Sequence, residues 1–195
     1  MTEKQFERIK LKIDKYKKAI ENDKKMWGGQ YHDGKGIRYI ITAEYIKLKD
    51  YSLGLKYLRW FDKKFPDDSG HPIFLFEATL ILFKCEKLKD AEEKAHRTFF
   101  SNTYLFDKFL ERETLKLDKN ESSNWEFESI VDNFPYRRTE TEFEDFAIWL
   151  EGILNSRTFL DKANEFFEIK QKLKTEPVGR TRTKLVERLY KILYG

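Results

Sequence analysis

The 195-residue sequence has little of several things, and each scarcity removes a class of protein. It holds one cysteine, Cys85, so neither a disulfide framework nor a cysteine-based zinc site is available. Four prolines and nine glycines are too few for a turn-rich β-sandwich and suit long helices joined by short loops. The three histidines, His32, His71 and His96, fall in separate segments with no i,i+4 pair, so no converging set of metal ligands is readable. Long apolar runs are missing too. The longest, Ile73 to Phe83, is interrupted by Glu77, Ala78 and Thr79 and is far below the roughly 20 residues of a membrane span. Met1-Thr2-Glu3-Lys4-Gln5-Phe6 shows no apolar signal region. The expectation is a soluble, cytoplasmic chain with no membrane association, no metal and no cofactor.

What is present is apolar mass inside a charged shell. Aromatics reach 16%, with 17 Phe, 10 Tyr and 4 Trp, although 37% of residues are charged and the mean hydropathy is −0.72. So much anchoring mass excludes a disordered chain. The net charge of +4 is segregated. Residues 1–25 carry nine Lys/Arg against five Asp/Glu and residues 170–195 eight against two, which leaves −6 for residues 26–169. A nucleic-acid binder gathers its basic residues on one face of a recognisable module. None is visible here, so nucleic acid is disfavoured as a partner.

Periodicity and punctuation predict helices throughout. Thr2-x-x-Gln5 is a capping box, and Phe6, Ile9, Ile13, Tyr16 and Ile20 form one apolar stripe that Gly28-Gly29 closes. Helices follow over about 36–48, 51–65, 72–84 and 88–100, with turns at Lys49-Asp50 and Glu86-Lys87 and with Pro72 in a first turn. The third of these is apolar nearly all round and is expected to be the central buried element. Ser101-Asn102 is read as the cap of a helix from Thr103 to about Leu117. The polar stretch 118–124 marks the expected boundary, with residues 1–117 as repeats plus an N-terminal helix and 118–195 as a helical extension. Ser123-x-x-Glu126 predicts a helix through Phe134, against a strand suggested by the alternation of Trp125, Phe127, Ser129 and Val131. Thr141-x-x-Glu144 opens a further helix, and others run through Phe159–Leu173 and Gly179–Tyr194. The last is expected to dock Leu185, Leu189, Ile192 and Leu193 and to turn a polar cap outward.

Two helix pairs align at an offset of 37 residues: Thr42 over Thr79, Tyr45 over Leu82, Lys47 over Lys84, Tyr51 over Leu88 and Gly54 over Ala91. With small residues at Thr42 and Gly54, large ones at Tyr45, Tyr51 and Leu58, and Pro66 closing the unit, the segment resembles the tetratricopeptide repeat family. Arg38 stands at the family's first-helix Trp position and Phe61 at its third small position, which are departures. The resemblance implies an all-α fold of antiparallel helix hairpins in a right-handed α-α superhelix. It also implies a non-enzymatic module that binds a protein or peptide on its concave face.

The glycine-rich segment 28–36 supplies the alternative, a small-ligand sensor or enzyme for an anion or nucleotide. Gly29-x4-Gly34-Lys35 lacks the Ser/Thr of a P-loop, since Gly36 stands there, and a lysine-rich stretch precedes it instead of a strand. Gly34-x-Gly36 beside Lys35 and Arg38 still offers backbone N–H groups to an anion, or serves as a turn. Glu77, inside an apolar helix, requires a partner or lines the groove. The expected binding residues are His32, Asp33, Lys35, Arg38, Tyr39, Tyr45, Glu77 and Asn102, and charge reversal at Arg38 is expected to abolish partner capture without unfolding.

Overall fold

Thr2 starts the first helix as the sequence predicts. In the computed structural model, which describes residues 1–114 and 118–194, its hydroxyl accepts from the Gln5 N–H and the Gln5 side chain accepts from the Thr2 N–H. Helix α1 (Glu3–Met26) ends at Trp27, where Gly28 and Gly29 take φ of 63° and 94° in the left-handed region. The helix expected from Gly36 splits. Ile37–Tyr39 form a 3₁₀ turn, and α2 (Ile41–Leu48) begins after it. Lys49 (φ 57°) turns the chain into α3 (Tyr51–Lys64), whose first turn is capped by the Asp50 carboxylate accepting from the Leu53 N–H at 3.0 Å. Pro72 opens α4 (Pro72–Lys84), with His71 Nδ1 accepting from the Ile73 N–H at 3.3 Å, and Glu86 (φ 57°) leads into α5 (Leu88–Ser101).

Ten of the thirteen residues of α4 are buried, so it is the core element that its apolar sequence demands. Both α2 and α3 pack on it, and α1 packs on α2. Gly54 lets α3 approach α4 closely, because a Cβ there would lie 3.0 Å from Ile81 Cδ1 and that side chain would have to shift. The chain divides inside α5 into two compact units, Met1–Ala91 and Glu92–Gly195.

In the second unit the sequence overestimates helix. The one expected from Thr103 is the five-residue α6 (Leu105–Phe109), stopped where Glu111 takes φ 54° and the Arg112 N–H reaches back to the Asp107 carbonyl at 2.9 Å. Its expected end, Leu115 to Leu117, lies outside the described residues. Neither a helix nor a strand forms through Phe134. Two 3₁₀ turns, Asn124–Glu126 and Glu128–Val131, flank an extended Phe127. Asn102 is the reason: its buried amide donates to the carbonyls of Trp125 and Phe127 at 2.8 and 3.0 Å, acceptors that a continuous helix uses internally. Glu126 does not complete its capping box and instead pairs with Lys170 at 2.5 Å. A 3₁₀ turn at Thr141–Phe143 precedes α7 (Glu144–Leu154), and Ser156 caps α8 (Arg157–Thr175). On α9 (Arg180–Tyr194), Leu185, Leu189 and Ile192 pack against Ile169 and Leu173 of α8. The outward cap is not wholly polar, since Val186 and Tyr190 of α9 and Val178 in the turn before it are exposed.

The fold is therefore all-α, with nine α-helices and no strand among the described residues. No helix among them is long and apolar enough to cross a membrane.

Candidate functional site

The glycine-rich turn holds a carboxylate, as its exposed N–H groups suggest, but the carboxylate is the chain's own. Gly36 takes φ 66°, so the peptide groups that follow turn inward, and Asp33 accepts there from the Ile37 and Arg38 N–H groups at 3.1 and 2.7 Å. Arg38 closes the arrangement. Its guanidinium donates to the Asp33 carbonyl at 2.9 Å, to Asp68 at 2.8 Å and to the Tyr39 hydroxyl at 2.8 Å, while stacking over Tyr39 and Phe65. The Tyr39 hydroxyl in turn donates to Asp68 at 2.7 Å. Asp68 also accepts from the Gly70 N–H at 2.8 Å, so the loop before α2 and the loop before α4 share one carboxylate. Burial pulls the Arg38 pKa down, but Asp68 and Asp33 outweigh it and hold the guanidinium above its ordinary value. Burial and Asp68 push the Tyr39 phenol well up. The network is closed and largely buried, with only 16% of the Arg38 side chain and 2% of the Asp33 side chain exposed.

Tyr57 connects this lock to an open groove. Its hydroxyl donates to the Arg38 carbonyl at 2.7 Å, and its ring lies 5.3 Å from Trp60 and 6.2 Å from Tyr45. The groove, about 420 Å³, has Tyr45 of α2 and Tyr57 of α3 as its floor. Its walls are Leu53, Lys56 and Trp60 of α3 and Lys17 and Glu21 of α1. The aromatic surface continues past Trp60, because Tyr31 meets that ring edge-on at 5.6 Å and donates to Glu21 at 2.7 Å. Leu53 is 41% exposed in the same groove as Tyr57, which the network below holds by its hydroxyl. Such a pocket can bury a large apolar side chain without rearranging its floor.

Only one of the expected binding residues lines this groove, namely Tyr45. Asp33, Arg38 and Tyr39 come together, but in the closed network. His32 is exposed and stacks on Trp27 at 4.3 Å, and Lys35 is exposed on the same turn. Glu77 is buried and accepts from the Thr42 hydroxyl at 2.5 Å, so it faces a neighbouring helix in the core. Asn102 belongs to the second unit, where all of its amide is used: two carbonyls accept from it, and its oxygen accepts from the Tyr104 N–H at 3.0 Å. The groove residues that sequence reasoning missed, Leu53, Tyr57 and Trp60, are spaced by four and three along α3. That apolar stripe was the available signal. Cys85 is half-buried, and its thiol donates to the Tyr51 carbonyl at 3.3 Å. Among the described residues no three His, Cys, Asp or Glu side chains gather as metal ligands would. No family model, curated protein or solved structure matches the chain.

Proposed function

We propose that the chain is a non-enzymatic recognition module built on tetratricopeptide-like helix hairpins, and that it binds a segment of a partner protein. The observation that carries this reading is the groove itself, an apolar aromatic floor open to solvent between α1 and α3. The packing of α4 against both α2 and α3 supports the hairpin-repeat description. The family resemblance implies recognition on the concave face of the first two hairpins. With α4 buried over most of its length, the reading moves to the groove above Tyr45. An anion-binding reading of segment 28–36 finds no such support, because an incoming anion has to displace the Asp33 carboxylate from the same N–H groups.

Photocrosslinking tests the proposal. A crosslinker at position 56, in the groove, is compared with one at position 11, which is exposed on α1 and does not line the groove. The expected outcome is a discrete adduct from position 56 that Leu53→Glu removes and position 11 does not give. Equal labelling from both positions, or adducts indifferent to Leu53→Glu, overturns the reading.

A further inference from the structure

The groove is apolar in its floor, yet its rim is unbalanced in charge. Lys17 and Lys56 line it, both exposed and without a carboxylate partner among the described residues. The Lys17 ammonium stands 5.5 Å from the centroid of the Tyr45 ring, so it is held over the floor by the ring's negative face. Glu21 is the one acidic lining residue, and its charge is already engaged by the Tyr31 hydroxyl at 2.7 Å and by Lys24 at 4.0 Å. At the Tyr31 end two more ammonium groups stand over an aromatic face, Lys24 at 4.6 Å and Lys64 at 5.5 Å from the ring centroid. Asp50, at the start of α3, is committed to the Leu53 N–H and the Ser52 hydroxyl. The groove thus presents unmatched positive charge along both walls and an apolar aromatic floor between them.

We infer that the occupant of this groove is an acidic peptide segment that inserts one large apolar side chain over Tyr45 and Trp60 and sets its carboxylates against Lys17 and Lys56. This rests on the recognition reading above and adds the chemistry of the partner. Carboxylates pair with the rim lysines, while basic flanks meet like charge and are rejected. A single-stranded nucleic acid is also anionic, but it needs ring faces on which bases stack. Tyr45 and Tyr57 are 3% and 4% exposed and offer their rings only as the bottom of a pocket.

The test is selection of a displayed library of random twelve-residue peptides on the full-length chain, repeated on two variants. Leu53→Glu fills the groove mouth with a charge at the third position of α3, where glutamate suits the Asp50-capped first turn, so the helix is retained. Lys17→Glu with Lys56→Glu reverses the rim. Circular dichroism confirms that both variants keep the parent helix signal. The expected result is enrichment of acidic peptides carrying Trp, Phe or Leu, lost in Leu53→Glu and replaced by basic peptides in the double reversal. Enrichment of neutral or basic peptides that still depends on Leu53 overturns the acidic partner and leaves the groove reading standing. No enrichment that depends on Leu53 overturns both. A dT12 oligonucleotide that displaces the selected peptides, and binds Leu53→Glu equally well, shows the rim to be a nucleic-acid surface and overturns the inference.

Discussion

The two units fasten their irregular segments in different ways. In Met1–Ala91 the loop after α1 is held by ionised side chains: Asp33 and Arg38 are five residues apart, and Asp68, thirty residues from Arg38, joins them from the loop before α4. Glu44, buried between Lys12 at 2.7 Å and Lys47 at 3.0 Å, ties α1 to α2 by the same chemistry. In Glu92–Gly195 the stretch between α6 and α7 is held by ion pairs such as Lys170 with Glu126 and also through backbone groups that other residues recruit. Asn102 captures carbonyls 23 and 25 residues away, the Asn120 N–H donates to the Lys170 carbonyl, and the Arg138 N–H donates to the Phe109 carbonyl. Charged residues clustered at a glycine-rich turn leave a trace in sequence, whereas a single amide that recruits backbone carbonyls does not. The first unit is accordingly the better predicted of the two.

The largest effect is expected at the charged lock. Arg38→Ala leaves Asp33 and Asp68 buried without their cation and should cost about 3–5 kcal/mol of stability, measured by urea denaturation. Arg38→Glu brings a third carboxylate to the same place and is expected to unfold the first unit, which replaces the expectation that reversal acts on binding alone. A loss below about 1 kcal/mol in Arg38→Ala would show that the network is not what holds the loop. Asn102→Ala comes next. It strands the Trp125 and Phe127 carbonyls and the Tyr104 N–H and should cost about 1–3 kcal/mol, with faster amide exchange confined to the second unit. Exchange that spreads into α1–α4 would erase the distinction between the units.

Acid response separates the units at smaller amplitude. Burial holds the His71 imidazole below its ordinary 6.5, and His71 Nδ1 must stay unprotonated to accept from the Ile73 N–H. The unfolded chain takes up that proton near 6.5 and the folded chain resists it. Stability is therefore full above about pH 6.5 and declines as pH falls from there toward the depressed folded value. His71→Asn keeps a capping acceptor and should flatten the decline in melting temperature between pH 7 and pH 5. His96 in the second unit is also held low, by burial first and then by Lys162, among Phe100 and Phe159 and with Glu92 and Glu93 opposing. Its share of the decline should survive in His71→Asn and vanish in His96→Phe. The smallest expected effect on stability is at Leu53→Glu, within about 0.5 kcal/mol, although that variant is expected to lose binding altogether.

Much of the fold was legible because helix signals are local. The capping box at Thr2, the turns at Lys49 and Glu86, Pro72 at the start of α4 and the burial of α4 all stand where the residues place them. The helix expected over 123–134 failed because Asn102 draws away the Trp125 and Phe127 carbonyls, and the one expected from Thr103 is cut short where Glu111 turns the chain. The candidate site was less legible. Asp33, Arg38 and Tyr39 were recognised as belonging together, but charge and glycine content cannot distinguish a turn that awaits an anion from one already filled by its own aspartate.

What the sequence determines by itself is the all-α class, the ends of most helices and the segregation of basic ends from an acidic middle, since each depends on neighbours within a few turns. What tertiary structure alone decides is where polar groups are used up and where they remain available. Arg38, Glu77 and Asn102 are consumed in buried hydrogen bonds, whereas Lys17, Lys56 and Leu53 stay open around Tyr45. Satisfaction of a buried polar group depends on partners thirty-five or more residues away, as Thr42 with Glu77 and Lys170 with Glu126 show, and helical periodicity carries no record of them.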